Sequence, residues 1–218
     1  MFKTKLTLAA MFLFVLGALA HAGVIYDNGP PNQQNGNEMT EWVQTEDFTL
    51  TSAQTLTDIH FWDVDSGGYQ GSITWWIVGD NNGMPDFNNI LGTGNTSNVN
   101  RNATGNCLFF GCEFENSWDI NALNLAPGTY HLALHNGPTT FDQRSEFYWE
   151  TTNPNGTTTG LECDLQFGAC FNSFFNNGQE HAFFLTGGGG GGVPEPASLA
   201  LLGTGLLGIV SRLRRRRS

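Results

Sequence analysis

The chain has 218 residues, 17 of them phenylalanine and 6 tryptophan, and a formal net charge of −11. Lys3, Lys5, Arg212 and Arg214 to Arg217 lie in the two ends, so Gly23 to Val193 holds only two basic side chains, Arg101 and Arg144, against nineteen acidic ones, a charge of −17. That balance argues against nucleic acid as a partner, because phosphate binding needs a basic footprint.

The first 22 residues, MFKTKLTLAAMFLFVLGALAHA, join a basic start to an apolar run and end on Ala20-His21-Ala22. This is the build of a secretory signal peptide, with the exported chain starting at Gly23. Residues 23–186 then have a normal single-domain length, with enough chain for a sizeable core.

Taken in order, the body predicts strands. Val24–Tyr26 and Trp42–Leu50 are candidates, and LTDIHFWDVD and GSITWWIVGD are apolar on both faces, as central strands are. Further strands are predicted at Leu108–Glu115 and Trp118–Leu125. GTYHLALHNG sets Tyr130, Leu132 and Leu134 against His131, Ala133 and His135, with Pro127-Gly128 as the preceding turn. SEFYWETT sets Phe147 and Trp149 opposite Glu146, Tyr148 and Glu150, and EHAFFLTG closes the series. Roughly eight to ten short strands between Gly, Pro, Asn and Asp clusters predict an all-β antiparallel sandwich, with a jelly roll as one form of it. The six glycines of residues 187–192 read as a flexible linker.

Four cysteines stand in two close pairs, CLFFGC (Cys107, Cys112) and CDLQFGAC (Cys163, Cys170). An exported chain meets an oxidising compartment, so two disulfides are expected; of the three pairings the local one is favoured. Neither spacing suits a zinc knuckle. His131 and His135 are four residues apart, ~13 Å along a strand, too far to share one ion. Asp63, Asp65, Asp80 and Asp86 lie near glycine turns and are weak calcium candidates, although no twelve-residue calcium loop is present and Asp and Asn make good turns unaided. Nineteen acids leave a glycosidase pair unassignable from sequence, and neither a nucleophile elbow nor His-Glu-x-x-His occurs. No cofactor is expected. Trp62, Trp75 and Trp76 are candidates for stacking on sugar rings; adjacent on a strand, Trp75 and Trp76 face opposite ways, so one could be core and the other exposed.

The C-terminus, residues 193–218, joins Val193-Pro194-Glu195-Pro196 to an uncharged stretch, Ala197 to Val210, and then Arg212, Arg214, Arg215, Arg216 and Arg217. As a helix, those fourteen residues extend ~21 Å, short of the ~30 Å hydrocarbon core, so spanning relies on snorkelling arginines and local thinning. The arginines fix the cytoplasmic side, and the prolines suit the helix start.

In order and spacing this tail resembles the PEP-CTERM sorting signal. The resemblance implies recognition by an exosortase, an integral-membrane processing enzyme, and cleavage near the Pro-Glu-Pro. It further implies a transient membrane anchor through the C-terminus, then a place on the cell surface or outside it, in biofilm or floc matrix. The expected function is a non-enzymatic surface or matrix protein contacting extracellular polysaccharide. A secreted carbohydrate-active hydrolase on the same sandwich is the alternative, and a calcium-dependent adhesion module is the second.

Overall fold

The computed structural model describes residues 23–108, 111–140, 143–155, 160–165 and 170–189. The predicted signal peptide, residues 190–192 of the predicted linker and the tail after them lie outside these residues. In chain order the strands are β1 (Gly23–Gly29), β2 (Pro31–Glu38), β3 (Trp42–Leu50), β4 (Gln54–Asp65), β5 (Ile73–Asp80), β6 (Pro85–Thr96) and β7 (Asn100–Leu108). They continue as β8 (Gly111–Leu125), β9 (Gly128–Asn136), β10 (Phe147–Thr152), β11 (Leu161–Asp164), β12 (Phe175–Asn176), β13 (Glu180–His181) and β14 (Phe183–Gly189). A 3-10 turn, Cys170–Asn172, precedes β12.

Two antiparallel sheets result. One has six strands in the order β12-β11-β3-β9-β5-β6. The other has eight strands built around β4, which pairs with β8 along one edge and with β14 and then β10 along the other. The main core lies between them. Phe48, Ile73, Trp75, Ile77, Leu132 and Leu134 come from the smaller sheet; Ile59, Phe61, Trp118, Phe147, Trp149, Phe183 and Leu185 come from the larger. Each set follows period two, the register that a buried sheet face imposes. Tyr130, Leu132 and Leu134 do face this core, while Ala133 faces a second cluster behind the six-stranded sheet.

Sheets of eight and six strands hold more strands than the eight to ten expected. Two of the unpredicted strands, β2 and β6, lack an alternating apolar pattern. β2 (PNQQNGNE) is held to β10 by side-chain amides: Asn32 Nδ2 donates to Thr152 O, and Thr151 Oγ1 donates to Asn32 Oδ1. β6 carries glycines because the Trp75 indole folds over it; a Cβ at Gly94 would stand 2.9 Å from Trp75 Nε1. Backbone pairing and one large ring thus stand in for side chains of β6's own. Of the strand predicted at Leu108–Glu115, Leu108 ends β7 and Gly111–Glu115 open β8, residues 109–110 lying outside the described ones, and β8 runs unbroken through Trp118–Leu125.

The linker also begins later than expected. Gly187, Gly188 and Gly189 belong to β14 and pair with Leu56, Thr55 and Gln54, while Gly23 of β1 pairs with Gly187. The fit at Gly187 is tight: a Cβ there would lie 1.8 Å from Thr55 O.

Candidate functional site

Trp75 and Trp76 do face opposite ways, and both are buried, at 9% and 8% exposure. Trp75 enters the main core and Trp76 the second cluster, so neither offers a face for sugar stacking. Trp62 is half-buried on the outer face of the eight-stranded sheet, 5.5 Å from Phe184, whose ring stacks on His60 at 4.0 Å.

The more open aromatic surface is made of phenylalanines. Behind the six-stranded sheet, Val43, Trp76, Val78 and Ala133 form an apolar floor, closed by Cys163, Cys170, Phe171 and Phe174. The Cys163–Cys170 disulfide ties this cover to β11. Opposite stands the β5–β6 hairpin, whose Asn82 and Gly83 have φ of 55° and 81°. That is the Asn-Gly type I′ turn that matches strand twist; Asn81 N–H donates to Met84 O and Met84 N–H to Asn81 O. The turn delivers Phe87 onto Trp76, edge to face at 6.0 Å, and beside Phe171 at 4.7 Å. Phe87 and Phe174 are nearly parallel, 6° apart with centroids at 5.5 Å.

Between hairpin and cover lies a cavity of about 240 Å³. Its apolar walls are Met84, Pro85, Phe87, Phe171 and Phe174, and its polar groups are Asn81, Asp86, Asn88 and Asn172. Asp86 Oδ1 accepts the Asn88 N–H at 3.0 Å, which turns the carboxylate back over its own strand. Flat apolar faces beside a few amides and one carboxylate are the surface that a sugar ring needs: C–H groups meet the rings and hydroxyls meet the polar edge.

The aspartates singled out as calcium candidates are engaged otherwise. Arg101 Nη2 donates to Asp63 Oδ1 at 3.0 Å and to Asp65 Oδ2 at 3.1 Å. Asp80 Oδ1 accepts from His131 Nε2 at 2.9 Å and from Gly83 N–H at 3.0 Å. The two pairs sit on different sheets, and no group of three or more His, Cys, Asp and Glu among the described residues is placed to hold a metal. His131 and His135 are both fully buried. The nitrogens of His135 face the carbonyls of Gly137 and Thr40, so the two histidines share no ligand. The disulfides are the local ones, Cys107–Cys112 and Cys163–Cys170.

Two pairs of carboxylates come together among the described residues: Asp119, exposed at the surface and raised by its side-chain hydrogen bond to Asp58, and a buried pair. Glu113 and Glu150, on the outer face of the eight-stranded sheet, are both buried, and each keeps an Oε2 without a donor. Burial pushes the Glu150 carboxyl up to about 8, helped by its side-chain hydrogen bond to Glu113. A proton held between them satisfies both orphan oxygens. Asn106 Nδ2 donates to Glu113 and Gln33 N–H to Glu150, so the pair is enclosed by protein donors on both sides.

Comparison with known families adds the tail. Residues 192–216 match the family described as the PEP-CTERM protein-sorting motif. The chain therefore ends in a PEP-CTERM sorting motif, which indicates export and C-terminal sorting by an exosortase. No curated protein matches the chain.

Sequence reasoning settled on tryptophan and passed over the phenylalanines. A usable signal was present: FNSFF directly after Cys170, and MPDF directly after an Asn-Gly turn.

Proposed function

We propose that the protein is a non-enzymatic surface or matrix component, exported and sorted through its tail, whose sandwich contacts extracellular polysaccharide at the Phe87–Phe171–Phe174 groove. The observation that carries this reading is the parallel pair Phe87 and Phe174 beside Asn81, Asp86, Asn88 and Asn172. The groove rests on a disulfide-tied cover and a tight hairpin, so its shape is set before any ligand arrives. Preorganisation of this kind lowers the cost of binding a flexible polymer.

A hydrolase on the same sandwich draws its support from the proximity of Glu113 and Glu150. Their burial favours a structural role, because glycoside hydrolysis needs both carboxyls to reach the scissile bond. The test is a glycan array with the processed protein, run alongside Phe174→Ala and alongside a chelator. Binding that Phe174→Ala abolishes and the chelator spares supports the groove and counts against a calcium-dependent adhesion module. Release of reducing ends from any bound glycan would overturn the non-enzymatic reading.

A further inference from the structure

The charge on the folded body selects among polysaccharides. Its two cations are both committed. Arg101 is clamped by Asp63 and Asp65 and lies over the rings of Tyr69 and Phe114, 4.2 and 4.5 Å from their centroids. Arg144 donates to Tyr148 Oη at 3.1 Å and stands over the same ring, while that hydroxyl donates to Glu146. Neither lines the groove. A polymer rich in uronate, sulfate or phosphate would approach a body of charge −17 with no arginine or lysine to receive it.

The groove carries the opposite preference. Its one charged side chain is Asp86, set beside the Phe87–Phe174 pair on the strand that supplies Phe87. Asn88 occupies Oδ1 of that carboxylate and leaves its second oxygen for a ligand. A sugar with its C–H face on the phenyl rings and an ammonium group at its edge satisfies both features at once. A neutral sugar satisfies only the first.

We propose that the groove binds a cationic amino-sugar polymer, a chain of hexosamine units with free amino groups. This rests on the carbohydrate reading of the groove and narrows its ligand to one class. The acidic body raises the local concentration of such a polycation, and Asp86 fixes the register of one unit on the rings. Attraction of this kind weakens as salt shortens the Debye length.

The test uses the processed protein from an exosortase-bearing host and titrates three soluble probes: a β-1,4-linked glucosamine hexamer, its fully N-acetylated counterpart and an oligouronate. The glucosamine hexamer should bind about tenfold tighter than the N-acetylated form at low salt, as expected for a charge-assisted contact. The preference should shrink as sodium chloride rises to about 0.5 M. Asp86→Asn keeps the acceptor for the Asn88 N–H; it should remove most of the preference and leave the N-acetylated hexamer's affinity unchanged. Salt dependence in the unmodified protein tests the same point without a variant. Equal affinity for the two hexamers, or preference for the oligouronate, overturns the amino-sugar inference and leaves the groove reading standing. Binding of none of the three, or binding that survives Phe174→Ala, removes the groove reading and this inference with it.

Discussion

Glu46 receives two hydrogen bonds from His181, one from the backbone N–H at 2.8 Å and one from ring Nδ1 at 2.9 Å. Both residues are fully buried, with the His181 ring 4.6 Å from that of Trp149. Burial drives the imidazole down to about 4. Between pH 6.5 and 4 the unfolded chain therefore takes up a proton that the native state refuses, and the stability contributed by neutral His181 is lost as pH falls. His181→Gln should flatten the acid limb of a melting temperature–pH profile; an unchanged slope would refute this assignment.

Glu150 works in the other direction. Its folded-state value is raised to about 8, so the native state holds a proton that the unfolded chain releases near pH 4.5. Stability is complete below that lower value and declines as pH rises toward 8. From about pH 6.5 to 8, where the His181 contribution is full and constant, the melting temperature should fall by a few degrees, about 1 kcal/mol. Asp63, also raised to about 8 by burial against the pull of Arg101, adds to the same limb. Glu150→Gln keeps a donor for Glu113 at every pH and should reduce the decline.

Removing Arg101 leaves Asp63 buried without its cation. At about pH 9, above the raised Asp63 value, Arg101→Leu should cost roughly 3 kcal/mol or more, the usual penalty for breaking a buried pair. Adding Asp63→Asn should recover over half of that loss, measured as a double-mutant cycle by chemical denaturation. Additive effects would show that the pair is not the source of the penalty.

Adjacent glycines in β14 should respond differently to the same change. Gly187→Ala drives a Cβ to 1.8 Å from Thr55 O, whereas a Cβ at Gly188 meets nothing within 4 Å. Gly187→Ala should destabilise by about 2 kcal/mol, in the range of overpacked sites. Gly188→Ala should stay within about 0.5 kcal/mol of the unmodified protein. Similar denaturation midpoints for both would contradict the close strand packing.

Alanine at Pro194, Glu195 and Pro196 together should spare membrane insertion, which depends on the apolar stretch and the arginines. In a host carrying an exosortase, the variant should keep its full C-terminal tail while the unmodified chain loses it. Intact mass spectrometry of the exported protein distinguishes the two; an unmodified chain still ending at Ser218 would mean that the tail serves only as an anchor.

Strands with paired apolar faces were legible from sequence. Trp42–Leu50 is β3, and the period-two patterns at Leu132–Leu134 and Phe147–Trp149 place those residues in the core. The strands that were not legible owe their structure to partners. β6 depends on Trp75, and β2 on amide bonds to β10. Neither partnership leaves a periodic trace in the strand's own residues. The groove was hidden for a similar reason: Phe87 and Phe174 lie far apart in sequence and meet only once the hairpin and the disulfide-tied cover are both in place.

The three sheet-bound glycines at the end of β14 change how the domain must stand on a membrane. From Gly189 to Val193 only residues 190–192 intervene, and those four residue steps reach at most ~14 Å. With the tail held in a membrane, as proposed, the end of β14 would lie close to the bilayer, with Gly23 paired at that same end. An enzyme working on the Pro-Glu-Pro has little more than the thickness of a sheet layer in which to operate. Lengthening the run after Gly189 by about ten glycines would raise that ceiling without touching the fold, so cleavage rate against spacer length becomes a ruler for the clearance the enzyme needs.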